Sequence, residues 1–159
     1  MDSSASVLKV IRARAEHAEL IAPLFDAYRQ FYRQPPDLGG ARRFISERLQ
    51  ARESVVFVAL IEQDGSPTAL GFVQLYPVFS SISMKPLWIL NDLYVVPEAR
   101  KRGIAKALMA SARQLALSTQ SKELILETAK DNYSAQKLYE QLGYERDEEF
   151  HRYALCITC

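Results

Sequence analysis

The 159-residue chain is 48% hydrophobic and 25% charged, proportions that suit one globular domain around one core. Its 20 Lys and Arg nearly cancel 19 Asp and Glu, which excludes the whole-molecule field that drives non-specific binding to nucleic acid or anionic membrane. No stretch approaches the roughly eighteen apolar residues of a membrane span, and the start MDSSASVLKVIRARAE lacks an apolar core behind a basic segment, so a cytoplasmic location is expected.

Residues 1–6 are small and polar and are expected to be disordered. Val7, Leu8, Val10 and Ile11, with Lys9 and Arg12 among them, predict a first strand. From His17 to about Gln34, apolar residues at Leu20, Ile21, Leu24, Phe25, Tyr28, Phe31 and Tyr32 recur at helical spacing. Pro23 conflicts with that helix, which must kink there or begin late, and Pro35 and Pro36 end it. A second helix is predicted from residue 39 or 40 to 51, with Phe44, Ile45 and Leu49 on one side and an Arg-rich face in solvent.

Strands at 55–61, 69–78 and 87–96, the first two joined by the turn-forming QDGSP, read as an antiparallel meander. A long helix over 103–118, a buried strand KELILETA, a short helix over 132–142 stopped by Gly143, and a final strand pair complete the chain. Helices and strands are thus mixed in one α/β (α+β) domain over 1–159, and the strands flanking the long helix imply a parallel crossover pair. Cys156 and Cys159 form a CxxC after a strand-like run, and His17 and His151 show no ligand spacing toward it. Two ordinary terminal thiols and no metal site are expected.

The segment from Val95 to Leu108 places Arg100, Lys101, Arg102 and Lys106 around a helix amino terminus. That end already carries partial positive charge, so cations there call for an anion among them, and phosphate is the natural one. Gly103 allows close approach of the backbone to a ligand, and Ala105 keeps the next position small. A solvated charge run before a helix is the plain alternative. Neither GxxxxGK[ST] nor GxGxxG is present.

The run Arg100-Lys101-Arg102-Gly103-Ile104-Ala105 resembles the Q/R-x-x-G-x-G/A signature of the GNAT superfamily of N-acetyltransferases, preceded here by the strand LNDLYVVP and followed by an apolar helix. The resemblance implies a mixed, mostly antiparallel sheet with a splayed parallel strand pair, flanked by helices. It also implies acetyl-CoA as co-substrate, its pyrophosphate held by residues 100–106. A second motif lies downstream, where Asn132, Ala135 and Tyr139 are spaced to share one helical face ahead of Gly143 and Tyr144. Taken singly they read as a cap, a packing residue and a half-buried aromatic. Together they resemble the N-x-x-A-x-x-x-Y helix of that superfamily, which implies that Asn132 bonds the pantetheine arm, Ala135 lets it pass, and Tyr139 stands near the thioester sulfur. A phenol with a pKa of about 10 stays neutral at pH 7 and can protonate the departing thiolate.

In the superfamily the strand before the phosphate loop carries a bulge and splays from its parallel neighbour, here 124–128. That implies backbone contacts from Leu93, Tyr94 and Val95 to the pantetheine amides. An amine attacks only when neutral, so a base or a water path to one is needed, and Asp92 is the best-placed carboxylate. Strand alternation puts Asn91 and Asp92 on opposite faces. Polyamine-acetylating relatives have two acids here, whereas this chain has Asn91 first, and a structural role for Asp92 stays open.

The first two helices and the loop 77–86 are expected to border the acceptor site. Tyr28, Phe31 and Tyr32 can stack on an alkylamine or pack in the core, core packing being the simpler reading. Together with FYRQP and LNDLYV, the pattern looks most like the histone and polyamine N-acetyltransferase branch. The expected acceptor is a primary amine, on a small molecule or a peptide, bound by Tyr28, Tyr32 and Asp92. A homodimer is one option for the assembly. The competing readings are a catalytically weak acyl-CoA-binding regulatory module and a small nucleic-acid-binding domain, the latter disfavoured by the near-zero net charge and by a basic run without aromatics.

Overall fold

The computed structural model describes residues 7–63 and 65–158; the segment 1–6, Asp64 of the expected turn, and Cys159 lie outside the described residues. The chain divides into two compact units, Met1–Glu127 and Thr128–Cys159.

The larger unit is a five-stranded sheet in the order β1-β2-β3-β4-β5. Its strands are β1 (Lys9–Arg12), β2 (Val55–Gln63), β3 (Ser66–Ser80), β4 (Lys85–Val95) and β5 (Leu124–Leu126). The first four pair antiparallel, and β4 and β5 pair parallel, which confirms the mixed sheet and the crossover pair. Helices α1 (Ala18–Phe31) and α2 (Leu38–Gln50) precede the meander, and α3 (Ile104–Ser118) forms the crossover.

Strand alternation sorts the core. Val56, Val58, Leu60 and Phe72 cluster with Ile21, Leu24 and Phe25 of α1 and Ala41 and Ile45 of α2. The other face is covered by α3, whose Ile104, Leu108, Met109, Ala112 and Leu115 are buried at helical spacing. Trp88 ties β4 to the end of that helix, its indole N–H donating to Thr119 Oγ1 at 2.8 Å. Pro23 sits inside α1 on its exposed side, and a 3-10 turn over Ala15–His17 leads into the helix.

Five expectations need correction. Phe31 and Tyr32 are not core, being 56% and 43% exposed, because α1 ends at Phe31 and carries them beyond the sheet. The loop expected over 77–86 is mostly strand: β3 reaches Ser80 and β4 begins at Lys85, leaving only 81–84 as the hairpin tip. The strand KELILETA is ordered as three residues, half-buried rather than buried, since among the described residues β4 alone supplies it a ladder.

The fourth correction falls in the smaller unit, which contains α4 (Tyr133–Gln141). No strand forms after that helix among the described residues. Tyr153, Leu155 and Ile157 alternate as a strand would, yet they are 82–89% exposed, and a pattern of period two makes a strand only where a neighbour supplies hydrogen bonds. Cys156 is disulfide-bonded, so it is not the ordinary thiol expected of it.

Candidate active site

The site is organised by one irregularity in β4. Leu75 of β3 pairs with Leu90, but Gln74 pairs with Asp92, so Asn91 is an extra residue in β4, a β-bulge. Directly paired residues share a face of the sheet. Leu90 therefore points with Leu75 toward α3, while Asp92 points with Gln74 toward α1 and α2. Without the bulge, Asp92 would lie on the same face as Leu90. The expectation that alternation separates Asn91 from Asp92 fails for the same reason, since the bulge lets both side chains line one pocket.

Asp92 is 3% exposed. Gln74 Nε2 donates to its Oδ2 at 2.7 Å and Asn91 Nδ2 to its Oδ1 at 3.0 Å. The Tyr28 hydroxyl donates to the Asn91 carbonyl at 3.3 Å, and its proximity to the carboxylate favours the ionised form. Burial raises the proton affinity of Asp92 above the usual carboxylate range, and the hydrogen bonds oppose that rise. Behind it, the hydroxyl of buried Ser54 donates to Gln74 Oε1 at 2.8 Å. Tyr76 shares this surrounding: burial and then the Asp92 charge push its phenol up to about 12.

The pocket encloses about 340 Å³. Its walls are aromatic, from Phe25, Tyr28, Phe44 and Tyr76, and its polar groups include Asp37, Asn91 and Asp92. Phe25 and Phe44 stack at 5.4 Å between ring centroids. Arg29 also reaches the pocket, but its guanidinium is neutralised by Asp26 at 3.2 Å. Of the expected acceptor residues, the structure brings Tyr28 and Asp92 together. Tyr32 packs T-shaped against the rings of Tyr28, at 5.1 Å, and Phe31, at 5.3 Å, and is not a wall residue. The hairpin tip at 81–84 contributes nothing to the lining.

Sequence reasoning missed Gln74, Tyr76, Phe44 and Asp37. Gln74 alone had left a signal, an amide inside the apolar run GFVQLY. A polar group in a strand buried on both sides calls for a partner.

At the far end of β4, the ladder to β5 stops at Leu90 and Leu126, while β4 runs on to Val95. Leu93, Tyr94 and Val95 thus have a ladder on the β3 side alone among the described residues, and of their groups on the other edge the Val95 carbonyl accepts from Arg100 Nε. The loop that follows turns through two left-handed residues, Lys101 at φ 61° and Gly103 at φ 78°. Gly103 caps α3 without a side-chain bond, unlike Asp37 on α2 and Asn132 on α4. No acidic residue occupies the first turn of α3, and Lys101, Arg102 and Lys106 are exposed around it.

Ile104 is the exception in that turn, its side chain buried beneath the helix, while Ala105 is partly covered. An uncapped, positively charged helix start with no Cβ at Gly103 fits the phosphates of acetyl-CoA. Arg100 departs from the expected cation set. Its Nε donates to the Val95 carbonyl at 2.9 Å and its guanidinium lies 5.7 Å from the Tyr94 ring centroid, so it is folded onto β4.

In the smaller unit, Asn132 Oδ1 caps α4 by accepting from the Ala135 N–H at 3.3 Å. Ala135 and Tyr139 are both partly buried on the same side of α4, and the Tyr139 ring lies 5.9 Å from that of Tyr144.

Comparison with known proteins gives the geometry its family. The profile described as acetyltransferase (GNAT) family matches residues 21–144. An uncharacterized N-acetyltransferase of Bacillus subtilis (strain 168), YhfO, is 47% identical over 94% of this chain and 98% of its own length. A probable acetyltransferase of Haemophilus influenzae is 32% identical over 96% and 100%. Among solved structures, a probable acetyltransferase superposes with a TM-score of 0.88 at 43% identity, covering 95% of this chain and 99% of that one. The aminoglycoside N-acetyltransferase AAC(6')-Iy in complex with CoA superposes at 0.76 with 25% identity, covering 98% and 99%. These likenesses support the superfamily and not the narrower histone and polyamine branch. The chain belongs to the acetyltransferase (GNAT) family and is an acetyl-CoA-dependent N-acetyltransferase.

Proposed function

We propose that the chain acetylates a primary amine carried on a flexible alkyl chain, by direct attack in a ternary complex. The observation that carries this reading is the buried carboxylate of Asp92, turned by a bulge into a pocket walled by four aromatic rings. Such walls hold an alkylamine by burial of its methylenes and by contact of ring faces with its cation, and Asp92 orients the nitrogen. A carboxylate whose proton affinity is raised by burial is also a better base than an exposed one, so Asp92, directly or through water, receives the proton that the amine must lose.

Acetyl-CoA supplies the acetyl thioester and a thiolate leaving group. Residues 101–106 hold its pyrophosphate on the first turn of α3, and the open backbone edge of 93–95 receives the pantetheine amides. Asn132 and Ala135 border the pantetheine arm. As the C–N bond forms and the C–S bond breaks, the phenol of Tyr139 delivers a proton to sulfur while the amine proton passes to Asp92 or solvent. A regulatory module that only bound acyl-CoA would have no use for a buried carboxylate facing an aromatic pocket.

The test is a panel of polyamines, lysine peptides, aminoglycosides, amino acids and alcohols with thiol release as the readout. It is followed by pH–rate profiles of wild type and Asp92→Asn on the best substrate. Alkylamines should lead, and the rate should rise with pH along a limb that Asp92→Asn removes. Preferred acetylation of a hydroxyl would overturn the acceptor class, and an unchanged profile in Asp92→Asn would remove the role given to that carboxylate.

A further inference from the structure

Asp92 is held by a side chain that no motif marks. Gln74 lies on β3 opposite Asp92 across the ladder and is fully buried. Its amide has two ends with opposite hydrogen-bonding character, and only one orientation presents N–H to a carboxylate. The ionised carboxylate, which can only accept, takes Nε2 on Asp92 Oδ2 at 2.7 Å, and Ser54, just before β2, anchors the other end of the amide by donating its hydroxyl to Oε1 at 2.8 Å. The Tyr76 hydroxyl hydrogen-bonds the same amide. Asn91 cannot substitute for it, because its side chain is exposed and bonds the other carboxylate oxygen.

We infer that Gln74 is a positioning residue for acetyl transfer, anchored by Ser54, which aims the Asp92 carboxylate at the acceptor nitrogen and keeps it ionised within the buried pocket. The inference rests on the role given to Asp92 above. A full set of donors stabilises the charged form of a buried carboxylate against desolvation, so losing the Gln74 donor favours the protonated form. The other titratable groups around the carboxylate are Tyr28 and Arg29 from α1, Asp37 at the start of α2 and Tyr76 from β3, with Arg48 and Glu53 behind Tyr76. Of these, Tyr76 bonds the Gln74 amide directly, but its phenol, pushed up to about 12, stays protonated across the Asp92 titration, and Ser54→Ala leaves all of them in place.

The experiment compares wild type, Gln74→Leu, Ser54→Ala and Ser54→Thr, with Asp92→Asn as reference. Carbon-13 NMR of labelled aspartate follows the Asp92 carboxyl in the free protein, and kcat/KM is measured against pH. Gln74→Leu should move the Asp92 titration upward and carry the acid limb of kcat/KM with it, lowering the rate on that limb roughly ten-fold, as expected for loss of one charge-assisted hydrogen bond. Ser54→Ala should give a smaller shift in the same direction, and Ser54→Thr, which keeps the hydroxyl, should restore the wild-type curve. An Asp92 titration unmoved in both Gln74→Leu and Ser54→Ala would overturn the inference, and Ser54→Ala carries the test alone if Gln74→Leu fails to fold. A titration that moves while the acid limb stays put would also overturn it, and an acid limb persisting in Asp92→Asn would show that the fault lies in the role of Asp92 itself.

Discussion

Gly103 offers a substitution in which the protein's own strain and the loss of a ligand can be measured separately. Its φ of +78° lies in the left-handed region, and a Cβ built on it meets no atom within 4 Å. A side chain there therefore meets a backbone penalty but no clash within the protein. For an L-residue that penalty is about 1–2 kcal/mol, less for asparagine and more for a β-branched residue. The neighbouring Lys101, at φ 61°, shows that this loop already carries one non-glycine residue in the same conformation. The space the Cβ would enter is the space proposed for phosphate oxygens.

Gly103→Ala should accordingly remain folded and lose about 1–2 kcal/mol in urea denaturation, while Gly103→Asn loses less. Both should lose at least roughly ten-fold in acetyl-CoA affinity by calorimetry, since displacing phosphate from the first-turn N–H groups removes several charge-assisted bonds. Gly103→Val should abolish binding. If the affinity loss followed the strain, with asparagine nearly normal and alanine poor, the loop conformation would be the cause and not the occupied space. Wild-type affinity in both folded proteins, Gly103→Asn and Gly103→Ala, would refute the phosphate site.

Two further outcomes are expected. Tyr139→Phe should lower turnover roughly ten- to a thousand-fold with coenzyme affinity nearly intact, because acid catalysis acts in the transition state; wild-type turnover on a good substrate would make Tyr139 structural. For Asp92, burial raises the folded-state pKa, so its stabilising contribution is complete below the unfolded pKa and is lost as pH rises through the folded one. Urea midpoints should therefore shift in favour of Asp92→Asn over wild type between pH 4 and pH 8, and a difference independent of pH would show that the carboxylate is not desolvated as the geometry implies.

How much of this was legible depended on the range of the interaction that fixes each feature. Hydrophobic periodicity is local, and the helices and the meander came out of it within a few residues, as did the crossover pair. The electropositive start of α3, proposed to hold phosphate, was legible for the same reason: Lys101, Arg102, Gly103 and Lys106 are consecutive or nearly so, and a helix start needs no distant partner to be electropositive. Arg100 belongs to the same run, yet its side chain goes to the Val95 carbonyl, a choice that spacing cannot reveal.

The pocket proposed for the acceptor was only partly legible, because it is assembled by pairing between strands. Asp92 was recognisable as a carboxylate before the loop, but the face it occupies is decided by one extra residue in β4 relative to β3. A register is a relation between two segments, and neither LNDLYV nor GFVQLY contains it alone. Once the bulge is set, Phe72, Gln74 and Tyr76 follow by alternation, and with them the aromatic wall, the fixed amide and the buried charge. The same dependence explains the failed strand pair near the carboxyl end, where alternation was present in Tyr153, Leu155 and Ile157 and no ladder was. Sequence pattern proposes which face a strand would bury, and pairing decides whether there is a strand and which face meets the pocket. Deleting Asn91, the extra residue, should therefore keep the Leu75–Leu90 and Gln74–Asp92 pairs in a regular ladder with Asp92 still facing the pocket, whereas closing the ladder with Asn91 retained would turn Asp92 toward α3.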